Sequence, residues 1–189
     1  MKELSAPQVQ AADENWLKTY YFSRAAVSVA WVILAFRSLH SESFAAILLV
    51  FYPAWDALAN LVDGTRSGGL AKNRTQLLNV IASLAVAVAV GISLPNLNHV
   101  LAVFGVWAIL SGLLQLGTAL RRRKLYGAQW AMMLSGAQSA LAGAVFISQA
   151  QKPTLPSIAN IAGYAGFGAL YFLVSALTLT FAARRRRNA

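Results

Sequence analysis

Two opposite charges lie inside stretches that are otherwise apolar, and they are the residues best placed to do chemistry. Arg24 is sixteen residues before His40, and Asp56 is sixteen residues after it. If the chain reverses at His40, two antiparallel helices with equal rise per residue place both charges at the same depth. A lone charge in a membrane helix costs about 2.5–3.5 kcal/mol, which an opposite partner reduces. We therefore predict an ion pair, either a structural lock between two helices or a titratable site on a proton or ion path.

Other polar residues lie level with each other on the two sides of the same turn. They are 20 to 23 residues from its centre and form two pairs, Tyr20 with Asn60 and Lys18 with Asp63. Residues four apart share a helix face. Tyr20 therefore lies on the same face of its helix as Arg24, and Asn60 lies on the same face as Asp56. We expect a ladder of polar contacts between the first two helices, descending from the ion pair toward the cytoplasmic surface.

Three uncharged polar side chains are expected inside later helices, namely Asn79, Gln115 and Gln138. Their expected role is hydrogen bonding between helices, which model systems rate at about 1–2 kcal/mol. A substrate site built from the same three side chains is the alternative.

The two histidines, His40 and His99, fall in turns. Histidine changes charge near neutral pH, so both would suit a sensor of external acid; the alternative is that they are ordinary solvated turn residues. They are 59 residues apart and the chain has no cysteine, so no metal site is predicted. The chain also lacks a Gly-x-Ser-x-Gly motif, a His-Glu-x-x-His motif and a phosphate loop. We expect no catalytic residue, no cofactor and no enzymatic activity.

The elements that must position these residues are membrane helices. The 189 residues are 58% hydrophobic and 12% charged, and all six acids lie in the first 63 residues. A soluble domain carries about 25% charged residues. Six stretches have the roughly 20 apolar residues that cross a bilayer: about 17–39, 44–62, 77–94, 100–120, 126–150 and 158–183.

The predicted fold is an all-α integral membrane protein whose six helices form three consecutive hairpins, about 17–62, 77–120 and 126–183. A polar segment, 1–16, precedes this membrane domain (17–183), and a basic tail, 184–189, follows it. Small residues recur at matched places, for example Ala26, Ala82 and Gly136, at offsets of 56 and 54 residues. Gly136 and Gly143 would let helix backbones approach closely, and such faces are compatible with a homo-oligomer.

The sixteen Lys and Arg residues indicate the orientation. Thirteen lie on one side of the predicted spans, two (Arg37 and Lys152) on the other, and Arg24 lies within a span. Basic loops face the cytoplasm, so both termini are predicted in the cytoplasm of a bacterial inner membrane. The clusters separate apolar blocks and do not line a polar face, so nucleic acid is not an expected partner. Anionic lipid headgroups are expected at Arg121, Arg122, Arg123, Lys124, Arg184, Arg185, Arg186 and Arg187.

Several short segments resemble the HdeD-like acid-resistance membrane protein family. They are Ser23-Arg24-Ala25-Ala26, Trp55-Asp56-Ala57, Gly91-Ile92-Ser93-Leu94-Pro95, Val106-Trp107-Ala108-Ile109-Leu110-Ser111-Gly112 and Leu141-Ala142-Gly143-Ala144-Val145-Phe146. The family typically has Arg-Gly and Asp-Gly where this chain has Arg24-Ala25 and Asp56-Ala57. The resemblance covers roughly residues 20–187 and implies three membrane hairpins and an association with stress, with no known chemistry.

Two functions follow as expectations. The first is a non-enzymatic membrane protein of the stress or acid-resistance type that acts through packing or partner interaction. The alternative is a small channel or transporter for protons or small solutes. A cavity lined by Arg24, Asp56 and Gln138 would favour the alternative, and a dry, fully packed core would favour the first.

The charge bias makes a testable prediction about sidedness. Because the chain has no native cysteine, single cysteines can be placed by Ser67→Cys, Lys124→Cys and Ala189→Cys. In intact cells all three should resist an impermeant thiol reagent, because basic loops stay in the cytoplasm. Gln151→Cys, in a predicted outer turn, should be labelled, and permeabilised cells control for reactivity. Labelling of any of the first three in intact cells would contradict the topology.

Overall fold

Long runs of apolar residues form helices because a helix satisfies its own backbone hydrogen bonds in lipid. The computed structural model describes residues 6–124 and 129–188, with side chains for 12–124 and 129–186. The long helices are α1 (Ala6–Arg37), α2 (Glu42–Arg66), α3 (Arg74–Ser93), α4 (Leu97–Arg122), α5 (Gln129–Gln149) and α6 (Ile158–Asn188). All six are long and apolar enough to cross a membrane, and these described ranges contain no strand. The predicted all-α class is confirmed for the described residues, and six helices of spanning length agree with the predicted multi-pass membrane protein.

Within the described residues, five of the six helices, all but α5, are longer than the apolar stretches that predict them. α1 begins at Ala6, inside the segment predicted as a separate polar region, and α2 continues to Arg66 rather than ending at Val62. Hydropathy marks where a helix crosses lipid, and the helix itself can continue into water. Lys2, the predicted start of the fifth stretch at Tyr126 and the side chain of Arg187 lie outside the described residues.

The six helices form a ring in which chain neighbours are spatial neighbours and α6 closes on α1. The most extensive packing is between α4 and α5, then between α1 and α6 and between α2 and α3, whereas α1 and α2 contact each other least. Each predicted hairpin therefore packs more extensively against its neighbours in the ring than its own two helices pack together.

The two ends of the ring differ in charge. One end, which we call the basic end, carries the last turns of α2, α4 and α6. Ion pairs join its helices: Arg122 to Asp63 at 2.9 Å, and Arg186 to Glu14 at 2.5 Å. The opposite end, which we call the turn end, carries the short connections at 38–41, 94–96 and 150–157.

Glycine allows the closest helix contact in the ring. Gly105 and Gly112 of α4 face Gly143 and Gly136 of the antiparallel α5, and the spacing is seven residues on both helices. A Cβ atom added at Gly112 would lie 2.6 Å from the Gly136 carbonyl oxygen, and one added at Gly105 would lie 2.8 Å from the Gly143 carbonyl oxygen. Only a residue without a side chain fits this backbone contact.

The glycine contact predicts a position-specific loss of stability. Gly112→Ala should lower the free energy of unfolding by about 1–3 kcal/mol, because rigid backbone on α5 must move away from the new methyl group. Gly117→Ala on the same helix is the matched control and should cause no loss, because nothing lies within 4 Å of its added Cβ. Thermal unfolding in detergent measures both, and equal melting temperatures would contradict the contact.

Candidate functional site

A cavity of about 420 Å³ lies inside the ring, and every helix contributes to its wall. Its polar lining includes one or more side chains from each helix: Arg24, Asp56, Asn79, Gln115, Gln138 and Tyr171. The apolar lining comes mostly from α5 and α6, with Val145, Phe146 and Phe167 among its members. The cavity thus gathers the charged pair and the three uncharged polar residues that the sequence singles out.

Arg24 and Asp56 are in contact at the edge of this cavity. Arg24 Nη2 donates to Asp56 Oδ1 at 2.5 Å, and their side chains are 13% and 9% exposed. The guanidinium carbon also lies 4.7 Å from the centre of the Phe172 ring and 5.8 Å from that of Tyr20. Aromatic faces attract a cation, so α6 as well as α2 stabilises the position of Arg24.

The Asp56 carboxylate joins four helices. Its second oxygen, Oδ2, accepts hydrogen bonds from Ser83 Oγ at 2.7 Å and Asn60 Nδ2 at 3.0 Å. Ser83 in turn accepts a hydrogen bond from Trp107 Nε1 at 3.0 Å. The carboxylate therefore connects α2 to α1 and α3 directly, and to α4 through Ser83.

Asp63, seven residues after Asp56 and so on the same face of α2, repeats the arrangement at the basic end. Its carboxylate accepts from Arg122 Nη2 at 2.9 Å, Gln76 Nε2 at 2.8 Å and Trp16 Nε1 at 3.2 Å. The side chain is 1% exposed. Asp63 therefore also joins α2 to α1, α3 and α4.

The polar residues predicted to form a ladder beside the ion pair have other partners in the structure. The cation on Asp63 is Arg122 rather than Lys18, and the hydrogen bonds of Asn60 are with Asp56 and Asn79 rather than with Tyr20. The reason is that α1 packs mainly on α6, so equal depth on α1 and α2 does not bring most side chains together.

The three uncharged polar residues line one cavity without bonding to one another. Gln138 Oε1 accepts from Tyr171 Oη at 2.7 Å, and Gln115 Nε2 donates to the Met132 carbonyl oxygen at 3.3 Å. Asn79 Nδ2 donates to Asn60 Oδ1 at 3.5 Å. The first two contacts connect α5 to α6 and α4 to α5.

Some buried polar atoms beside the cavity have no hydrogen-bond partner among the described residues. They are Nε and Nη1 of Arg24, Nε1 of Trp55 and Oδ1 of Asn79, and all three residues line the cavity. Leaving such a group unpaired costs about 1–3 kcal/mol. These atoms have almost no accessible surface, so a ligand could pair with them and offset that cost only if the side chains rotate toward the cavity.

The site includes residues that the sequence did not single out as functional: Trp55, Ser83, Trp107 and Tyr171. A usable signal existed for the tryptophans, because a buried indole N–H needs an acceptor. Serine and tyrosine in an apolar helix carry no comparable signal, because either can face a neighbouring helix or the membrane interface.

The two histidines lie away from this site. His40 ends the short 3₁₀ turn after α1, and His99 lies in the first turn of α4; both are exposed at the turn end. Neither lines the cavity. Over residues 6–124 and 129–188, no group of three or more His, Asp or Glu residues could hold a metal ion.

Some residues of the basic clusters form contacts within the protein. Arg122 contacts Asp63, Arg121 donates to Thr75 Oγ1 at 2.5 Å, and Arg186 contacts Glu14. The remaining cluster residues with described side chains are exposed: Arg123, Lys124, Arg184 and Arg185. These four are the better candidates for lipid headgroups.

The Arg24–Asp56 contact predicts strong coupling between two substitutions. Asp56→Asn should lower the free energy of unfolding by about 3 kcal/mol, because it leaves the buried Arg24 cation without its counter-ion. Adding Arg24→Gln should restore much of the loss, because no unpaired charge remains. A double-mutant cycle on thermal or denaturant unfolding in detergent measures the coupling.

The exposed Arg186–Glu14 pair is the control for this cycle. Glu14→Gln should change the free energy of unfolding by less than about 1 kcal/mol, because Arg186 is 61% exposed and water can solvate it once its partner is neutral. Additive effects of Asp56→Asn and Arg24→Gln would refute the predicted coupling.

Comparisons with known proteins add no identity to this geometry. No family model, no curated protein and no solved structure matches the chain. The HdeD-like resemblance therefore stays a prediction that depends on the short segments quoted above, and the case for function depends on the cavity.

Proposed function

We propose that this chain is a multi-pass protein of the bacterial inner membrane, with both termini in the cytoplasm, that binds a small polar solute in its central cavity and carries it across the bilayer. The observation that supports this proposal is a central cavity lined by Arg24, Trp55 and Asn79, each of which carries a buried polar atom without a partner among the described residues. Orientation and membrane rest on the thirteen-to-two charge bias.

The chemistry of the wall suggests the class of solute. Arg24 and Trp55 have N–H groups to donate, and Asn79 has an oxygen to accept. Asp56 is already surrounded by donors from Arg24, Ser83 and Asn60, so it offers little to a ligand. A hydroxycarboxylate fits, because its carboxylate accepts from the donors and its hydroxyl donates to Asn79. A volume of about 420 Å³ lies within the range of small-molecule sites.

The cavity favours a carrier over a protein that acts only through packing. A purely structural bundle gains from filling its interior, because each void forfeits van der Waals contacts. Ionisable residues inside membrane segments commonly mark a solute or ion path. The role in acid resistance that the HdeD-like resemblance implies, without enzymatic activity, stays a separate prediction.

A substitution at Trp55 tests the proposal with little structural cost. In protein reconstituted in lipid nanodiscs, Trp55→Phe should weaken binding of lactate about two- to tenfold, because one donor to the ligand is lost. Stability should change little, because the loss of ring volume is offset by removal of a buried N–H that has no partner among the described residues. Calorimetric titration measures the affinity, and uptake of labelled lactate into proteoliposomes at pH 8 measures transport.

Trp31→Phe is the matched control. Its Nε1 donates to the Leu48 carbonyl oxygen at 2.8 Å, and Trp31 does not line the cavity. This variant should lose stability and keep its affinity for lactate. If neither lactate nor its neutral analogue lactamide binds in a way that depends on Trp55, the proposed function is wrong.

A further inference from the structure

The seam between α5 and α6 differs from the other contacts in the ring. Two side chains of α6 reach across it: Tyr171 donates to Gln138 Oε1 at 2.7 Å, and Tyr164 shares a hydrogen bond with Ser139 at 2.5 Å. These helices pack less extensively than α4 with α5 or α1 with α6. Tyrosine side chains, rather than close backbone packing, thus bridge this seam.

The cavity reaches the outer surface of the ring at this seam. Val145 of α5 and Phe167 of α6 both line the cavity, yet they are 52% and 57% exposed. A residue that borders the cavity and is also half exposed lies at its rim. Gly163, also a lining residue, is exposed, and an added Cβ there would meet nothing within 4 Å.

The rim faces hydrocarbon rather than water. Val145 and Phe167 lie within helices that are long and apolar enough to span the membrane, and Phe167 is nine residues from the start of α6. At 1.5 Å per residue this is about 13 Å from the turn end of that helix. A molecule that passes this rim therefore comes from the lipid phase.

The two sides of the cavity suit the two parts of such a molecule. The N–H groups without a partner among the described residues belong to α1 and α2, whereas Val145, Phe146 and Phe167 of α5 and α6 provide apolar surface at the seam. Tyr164 and Tyr171 of α6 form hydrogen bonds with Ser139 and Gln138 of α5, so these polar groups are already paired with each other. An acceptor head group would bind deep in the cavity while an apolar tail stays near the rim.

We infer that the ligand is an amphiphile with a hydrogen-bond-accepting head group, such as a carboxylate, and one apolar tail, and that it enters from the bilayer between α5 and α6. Tyr164 and Tyr171 form the gate, because their rotation breaks both bridges without moving a helix. This inference rests on the proposed function: it uses the same cavity and the same head-group site, and it adds the tail and the lateral route.

A pair of probes with one head group tests the tail. Lactate and 2-hydroxydecanoate share the hydroxycarboxylate head, and only the second has a tail. In lipid nanodiscs, with binding to protein-free discs subtracted, 2-hydroxydecanoate should bind more than about tenfold tighter than lactate at equal concentration in water, because its tail partitions into the lipid and concentrates it beside the rim. Trp55→Phe should weaken both.

Two substitutions at the rim test the route. Gly163→Trp should reduce the association rate of 2-hydroxydecanoate more than about tenfold and leave that of lactate unchanged; Gly166→Trp, on the same helix with equally open space and outside the lining, is the control. Phe167→Ala should increase the rate for the long probe, whereas Leu170→Ala, similarly exposed at 53% but not lining the cavity, should not. Circular dichroism and thermal unfolding check that each variant folds.

The outcomes separate this inference from the proposed function. Equal affinities for the two probes, or rates for 2-hydroxydecanoate that neither rim substitution changes, would overturn the amphiphile and the lateral route. If lactate binding still depends on Trp55 in that case, the polar-solute function stands without them. If neither probe responds to Trp55→Phe, both proposals fail.

Discussion

A carboxylate inside a membrane protein needs donors for its oxygens, and this requirement organises one side of the ring. Asp56 obtains them from Arg24 on α1, Asn60 on its own helix and Ser83 on α3, with Trp107 of α4 behind Ser83. Removing a charge from water costs several kcal/mol, and only close, oriented partners offset it. Because those partners are on different helices, satisfying one carboxylate sets the relative rotation and depth of four helices. Asp63 applies the same constraint two turns away.

The other side of the ring is stabilised by close helix packing and by hydrogen bonds between helices. α4 and α5 meet through paired glycines, whose missing side chains let the backbones approach. α5 and α6 are bridged by tyrosine hydroxyls. Apolar groups gain no hydrophobic energy by leaving lipid for protein, so van der Waals fit and hydrogen bonds must hold these helices together. The cavity lies between the polar side of the ring and this closely packed side, which is why its wall combines charged and apolar surface.

Asp56 and Arg24 differ in how many of their polar atoms have hydrogen-bond partners, and this difference bears on the role of the ion pair. Asp56 has donors on both oxygens, whereas two of the three guanidinium nitrogens of Arg24 have no partner among the described residues. The two interpretations of the pair, a structural lock and a site on a solute path, are therefore compatible. The carboxylate holds the helices, and the arginine beside the cavity has donors that the described residues do not use. Charge balance within the pair also lowers the cost of holding an arginine there.

The six helices could be predicted from the sequence, whereas the faces that point into the protein are visible only in the three-dimensional structure. Six apolar runs had to become helices, because nothing else satisfies the backbone of a single span in lipid. Constant rise per residue also placed Arg24 level with Asp56, and the structure brings them into contact. The partner of Asp63 was not readable in this way, because Arg122 is 59 residues away on a helix that sequence distance does not align with α2. The closure of α6 on α1 and the existence of the cavity were equally hidden. The physical reason is that apolar side chains are solvated about as well by lipid as by a neighbouring helix, so hydropathy shows that a segment is in the membrane but not which of its faces lies inside the protein.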